Sequence, residues 1–247
     1  MSDWNELLDS VNNKVIGIIN SSNDSFTGDG IYKNKDNLSR LLASAKNSGI
    51  ELIDVGCVST KPNFKDISQE EEFKRLNFFL ENYDGDFKLS IDTMNKSVAE
   101  YSLDNNFEIL NDVSGFRNLE MIELAADRNS KIILVHNHPD SSHIQEKMEF
   151  KNVVQEVKAH IESKIVSLIS NGIKENRISI DPGLGFGKTM DDSKVLFENL
   201  DVFCFGFPLI VGYSKKKFTE ALNLTNSQLY QHCIDSGVAL VRLHIAS

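Results

Sequence analysis

One rhythm runs through the 247-residue chain and restricts its fold more than any other property. Short runs of apolar and β-branched residues alternate with longer segments of helical period. The runs fall at residues 15–19, 51–55, 88–91, 107–110, 131–135, 177–180, 208–211 and 238–243, eight in all. Helical patterns lie between them, among them residues 37–48, 68–80, 96–105, 119–127 and 153–171. In the last of these, Val153, Val157, Ile161, Ile165 and Leu168 recur at steps of four and three and draw one apolar stripe along a helix. Strands that alternate with helices pair in parallel, each helix carrying the chain back to the same end of the sheet. Eight such units predict an α/β fold, a (β/α)8 TIM barrel formed as a single domain over residues 1–247. An open doubly wound sheet is the competing arrangement.

In a barrel, the residues that follow the strands converge on one face. Here they are Asn20, Asp54, Asp92, Asn111 with Asp112, His136, Asp181, Ser214 with Lys216, and Arg242 with His244. Asp and Asn are also common after strands as turn formers and helix caps. One or two would carry no message, but a polar or ionisable residue after every strand points to a binding site.

Residues 181–189, DPGLGFGKT, are the densest glycine cluster in this set. A phosphate loop would need glycine at 182, which is Pro182, and the dinucleotide fingerprint fails on the spacing of Gly183, Gly185 and Gly187. The residue pattern leaves two readings for Asp181: a carboxylate that binds a ligand, or a cap for the next helix. The glycines let the backbone turn sharply beside it.

Composition narrows the ligand. Lys and Arg number 26 against 36 Asp and Glu, a net charge of −10, so a broad basic face for nucleic acid or anionic membrane is not expected. Lys215-Lys216-Lys217 is a local exception. No apolar stretch approaches the roughly 18 residues of a membrane span, and the polar N-terminus does not read as a secretory signal. Cys57, Cys204 and Cys233 are widely spaced, which fits a reducing cytoplasm. Asp92, Asn111 and Asp181 suit a flat nitrogen heterocycle with amino and ring N–H groups. Lys216, Arg242 and His244 suit a phosphate or carboxylate. Asn20 is a neutral oxygen ligand compatible with Mg²⁺ held mainly by phosphate.

The segments VIGIINSSNDSFTGDG, LIDVGCVSTKP, LSIDT, ILNDVSG, DPGLGFGKT, LIVGYSKKKF and VRLH, in this order from Val15 to His244, resemble the dihydropteroate synthase family. The resemblance implies a barrel that joins a pterin methyl pyrophosphate to p-aminobenzoate, releases pyrophosphate and serves folate biosynthesis in the cytoplasm. It implies that Asp92, Asn111, Asp181 and Lys216 hold the pterin, with Val135 beside them. Arg242 would pack over the pterin and, with His244 and Asn20, contact pyrophosphate, with Mg²⁺ at Asn20. Ser214 and Phe26 would form the p-aminobenzoate site, where sulfonamides mimic that substrate. Asp24 would lie on a mobile loop after the first strand, and Thr60 with Lys61 on another after the second. A homodimer is implied as well.

The sequence departs from the family pattern in places. The first loop reads Asn20-Ser21-Ser22-Asn23-Asp24-Ser25-Phe26, without the usual proline. In the second, Cys57 stands for glycine, Val58 for glutamate and Lys61 for arginine, and Lys215 likewise stands for arginine further on. After Arg242-Leu243-His244 only Ile245-Ala246-Ser247 follow, so the eighth helix and the dimer contacts it usually makes are expected to be missing. Other readings are a pterin-binding homologue without the condensation, a pterin-dependent methyltransferase, and a metal-dependent barrel hydrolase using His136, His138 and nearby His143. Trp4 is expected to pack near the barrel's bottom or to stand exposed. Cys57, beside the predicted site, is a candidate reactive thiol.

Overall fold

The computed structural model describes residues 2–21, 30–58, 67–137 and 147–245. Eight strands form one parallel sheet: β1 (Val15–Asn20), β2 (Leu52–Gly56), β3 (Lys88–Asp92), β4 (Phe107–Asp112), β5 (Lys131–Val135), β6 (Ile178–Asp181), β7 (Ile210–Gly212) and β8 (Leu240–His244). Their order is β6-β5-β4-β3-β2-β1-β8-β7. The seam between β6 and β7 is joined by a parallel bridge from Ile180 to Leu209, where the Ile180 N–H donates to the Pro208 carbonyl at 3.0 Å. The sheet is thus a nearly closed barrel, and the open-sheet alternative is set aside.

The helices are α1 (Trp4–Ser10), α2 (Lys35–Asn47), α3 (Gln69–Asn82), α4 (Lys96–Asp104), α5 (Leu119–Asp127), α6 (Val153–Ser170), α7 (Met190–Glu198), α8 (Phe218–Ala221) and α9 (Asn226–Asp235). Their starts are set by side chains that accept from otherwise unpaired first-turn N–H groups: Asn34, Ser68, Asn95, Asn118, Asn152, Thr189 and Thr225. Arg177, expected at the head of the sixth strand, belongs instead to a 3-10 turn, Glu175–Arg177. Pro208 has no N–H to give a ladder and stays just outside β7.

Two apolar cores follow from strand alternation. One face of each strand packs against the helices, as with Ile53, Val55, Ile91 and Leu110 against Leu41, Leu76, Phe79 and Val98. The other face fills the barrel with Ile16, Leu52, Ile109, Ile133, Ile210 and Leu240. Trp4 and Leu7 of α1 join this inner core. Trp4 is 1% exposed and its indole N–H donates to the Arg177 carbonyl at 2.9 Å, so the helix plugs the end of the barrel remote from the polar strand ends.

Candidate functional site

Five strands bring one polar cluster together at their C-terminal ends. The Arg242 Nη2 of β8 lies 2.6 Å from Asp54 Oδ2 on β2 and 3.2 Å from Asp92 Oδ2 on β3, and its Nη1 lies 3.8 Å from Asp181 Oδ2 on β6. Asn111 of β4 donates through Nδ2 to Asp54 Oδ2 at 3.0 Å, and Ser90 Oγ donates to Asp54 Oδ1 at 2.6 Å. Parallel register accounts for the meeting: Asp92 lies opposite both Gly56 and Asn111, and Gly212 lies opposite Arg242. None of these residues caps a helix, since the caps are separate residues further along each loop.

Asp54, which sequence reading placed only among the polar strand ends, is the hub of the cluster. Its two oxygens accept from Ser90, Asn111 and Arg242 together. Burial, followed by the neighbouring charge of Asp54, pushes the Asp92 carboxyl above the usual carboxylate range. Burial opposes the charge on Arg242, but Asp54, Asp92 and Asp181 outweigh it and hold the guanidinium firmly protonated.

Three atoms of the cluster are buried with no hydrogen-bond partner: Asn111 Oδ1, Asp181 Oδ2 and Arg242 Nε. Leaving a buried polar group unpaired costs about 1–3 kcal/mol. Two acceptors and one donor are kept in this condition within a single cluster at the C-terminal ends of the strands.

The glycine-rich turn sits against this cluster. Asp181 gives one oxygen to the turn, accepting from the Gly183 N–H at 2.7 Å, and keeps the other for the site. The helix cap is Thr189, not Asp181, with a reciprocal bond to Asp192, so the capping alternative for Asp181 falls. Gly183 has φ +68° and passes so close to β5 that a Cβ there would stand 1.9 Å from the His136 carbonyl oxygen. Only glycine fits such a position. Lys216 Nζ donates to the Leu184 carbonyl and lies 4.8 Å from the centre of the Phe186 ring. Burial lowers its amine to about 8, against the pull of Asp181.

Ser214 and His244 form a second group beside β8. The His244 N–H donates to Ser214 Oγ at 3.1 Å, and the hydroxyl lies 2.7 Å from Nδ1 of the same histidine. Asn20 ends β1 with Oδ1 close to Gly56, where an added Cβ would stand 3.2 Å away. Val135 is 1% exposed, at the end of β5 opposite Asp181. Lys217 is exposed. Asp112 differs from Asn111: strand alternation turns it to the other face, where Oδ1 accepts from the Ser114 N–H at 2.8 Å. A cavity of about 80 Å³ on that side is lined by Ser114, Arg117, His136, His160 and Lys164 among others, and none of Asp54, Asp92, Asn111, Asp181 or Arg242 lines it.

The two loops that carry Asp24 with Phe26, and Thr60 with Lys61, lie outside the described residues, but their roots are held by α3. Ser21 donates to the Arg75 carbonyl at 2.9 Å, Arg75 Nη1 donates to the Cys57 carbonyl at 3.0 Å, and Thr93 donates to Glu72 at 2.5 Å. Cys57 is part of this knot and fully buried, and burial pushes its thiol far up, with Glu72 adding to the shift. The expectation of a reactive thiol is therefore corrected: the side chain packs in the core and is protected from reagents. His138 and His143 also lie outside the described residues. Among the described residues, no group of three or more His, Cys, Asp or Glu side chains could hold a metal ion.

Residues 16–244 match the family described as pterin binding enzyme. The chain is 31% identical to the dihydropteroate synthase of Streptococcus pyogenes serotype M3, over 94% of this chain and 90% of that protein. The solved dihydropteroate synthase of Xanthomonas albilineans with 4-aminobenzoic acid superposes with a TM-score of 0.81 at 26% identity, covering 96% of this chain and 88% of that one. The Burkholderia cenocepacia enzyme complexed with 7,8-dihydropteroate gives 0.80 at 26% identity, covering 93% and 85%.

Proposed function

The chain belongs to the dihydropteroate synthase family of pterin-binding enzymes, and we propose from that premise how its residues share the work. The reaction condenses 6-hydroxymethyl-7,8-dihydropterin pyrophosphate with p-aminobenzoate to dihydropteroate, releasing pyrophosphate, in folate biosynthesis. The observation that carries the division of roles is the set of buried atoms without a hydrogen bond, Asn111 Oδ1, Asp181 Oδ2 and Arg242 Nε, at one end of the barrel. Two acceptors match the amino and ring N–H groups of a pterin, and the donor matches a ring nitrogen or carbonyl oxygen.

In this reading Asp92, Asn111 and Asp181 grip the pterin edge, with Val135 against the ring. The Lys216 amine, set on the glycine-rich turn, donates from the opposite side. The C–O bond to pyrophosphate breaks with its electron pair leaving on oxygen, and the pterin methylene becomes cationic. The carboxyl groups of Asp54, Asp92 and Asp181, held in place around Arg242, would stabilise that growing charge. Arg242 and His244 receive the departing diphosphate. The arylamine nitrogen, held by Ser214 and Phe26, forms the new C–N bond and gives up a proton. Positioning and charge supply the catalysis, with no covalent intermediate on the protein.

Asn20, whose Oδ1 stands beside Gly56 at the end of β1, is the residue we assign to Mg²⁺, as one neutral oxygen ligand. The remaining ligands would be diphosphate oxygens and water, and the ion when bound supplies charge neutralisation on the leaving group. Asp24, Thr60 and Lys61 lie outside the described residues, and their assignment to catalysis rests on the family pattern. A cytoplasmic setting is supported by the free state of Cys57, Cys204 and Cys233. The test is product formation: with Mg²⁺ and both substrates, the protein should yield dihydropteroate detectable by mass, and Asp181→Ala should abolish it. Pterin binding without product would contradict the condensation.

A further inference from the structure

One buried cation of the glycine-rich turn takes no part in the scheme above. Lys188 is 7% exposed. Its Nζ lies 2.9 Å from the Gly183 carbonyl oxygen, 3.0 Å from that of Phe186, 2.9 Å from His136 Nδ1 and 3.3 Å from the His136 carbonyl oxygen. An ammonium has three protons, and the two turn carbonyls and the imidazole nitrogen account for them. The amine therefore ties the inside of the turn to the end of β5. Among the described residues no carboxylate stands within ion-pair distance, and burial lowers the amine to about 7.

What hangs on this turn gives the lysine its importance. The Gly183 N–H orients the Asp181 carboxylate, and the Leu184 carbonyl holds the Lys216 amine over the Phe186 ring. Both groups are tied to the backbone between Gly183 and Phe186, and Lys188 bonds the two carbonyls at its ends. The backbone is also pressed against His136 at Gly183, so a small movement of the turn displaces both groups together. The geometry points to Lys188 as a positioning residue for pterin recognition: through the turn it sets Asp181 and Lys216, while His136 anchors its amine. This rests on the pterin reading of the site.

The imidazole lets the contact survive a change of charge. When Lys188 is an ammonium, His136 Nδ1 accepts from it. When Lys188 is a neutral amine, the other tautomer of His136 can donate back, and the two remaining N–H groups still serve the carbonyls. The turn is held in either state, which suits a lysine that titrates near neutrality.

The experiment compares the full chain with Lys188→Met and Lys188→Gln. It measures KM for the pterin pyrophosphate, KM for p-aminobenzoate, and amide hydrogen exchange across residues 181–187. For Lys188→Met the expected result is at least a tenfold rise in the pterin KM, a p-aminobenzoate KM within twofold, and faster exchange in the turn. Lys188→Gln keeps two N–H donors and should recover part of the pterin KM. It also stands in should the methionine variant not fold. Equal rises in both KM values, or an unchanged pterin KM in a folded variant, would overturn the inference. Wild-type protein that forms no product and binds no pterin by calorimetry, yet loosens at the turn when Lys188 is replaced, would overturn the pterin reading instead.

Discussion

Arg242 Nη2 stands 2.6 Å from Asp54 Oδ2, joining the last strand of the barrel to the second across the inside of the sheet. Asp54 at the same time accepts from Asn111 and Ser90, so one carboxylate sets the orientation of the guanidinium and of the carboxamide. Removing Asp54 would leave a buried cation short of its nearest partner and two donors without an acceptor. Asp54→Ala should lower stability to chemical denaturation by about 3–5 kcal/mol, the cost of breaking a buried pair. Asp54→Asn, which keeps the shape and one acceptor, should lose less. Equal stability of wild type and Asp54→Ala would show that Arg242 re-pairs fully with Asp92 and Asp181.

Lys216 gives affinity and stability opposite dependences on pH. Its amine is lowered to about 8 in the folded chain from 10.5, so between these values the unfolded chain binds more protons than the folded one. Stability then rises with pH across that window as far as this group is concerned. Pterin affinity should do the reverse, falling as pH rises through about 8, because the ammonium loses a donor. Calorimetric titrations at a series of pH values would show the falling limb, and Lys216→Met should flatten it. A limb that persists in the variant would remove Lys216 from pterin recognition.

Trp4 tests the separation of scaffold and site. Its ring fills the end of the barrel remote from Arg242 and its N–H is bonded to the Arg177 carbonyl. Trp4→Ala should cost about 3–5 kcal/mol in urea unfolding. Under conditions where the variant remains folded, its pterin affinity should match wild type within a few-fold. A large loss of affinity in the folded variant would mean that the plug and the site are coupled.

Much of this architecture is legible in the residue pattern because two periods, two and 3.6, mark strands and helices independently. Helix α5 falls on the expected residues, and every expected strand is present within two residues of its expected ends. The polar ends are legible as a set, yet their ranking is not. Asp54 and Asp112 read alike along the chain, but alternation sends Asp112 to the outer face and only the closed barrel brings Asp54 to Arg242. Along the chain Lys188 reads as the tail of a failed phosphate loop, since its acceptors include backbone carbonyls, which leave no mark in a sequence. Cys57 misled for a related reason: its place beside the loop suggested exposure, whereas α3 folds over it and buries the thiol.

The central claim is that buried acceptors without a hydrogen bond at the barrel's mouth recognise the pterin. The direct test is calorimetric titration of 6-hydroxymethyl-7,8-dihydropterin pyrophosphate into wild type and Asp181→Asn. The substitution keeps the size of the side chain and its bond from Gly183 but removes the charge that faces the ligand. A hydrogen bond to a charged group contributes about 1.5–3 kcal/mol, so the variant should bind the pterin about tenfold to a hundredfold more weakly while its unfolding midpoint changes little. Equal affinity in the two proteins would contradict the claim, because Asp181 Oδ2 would then have no part in holding the substrate.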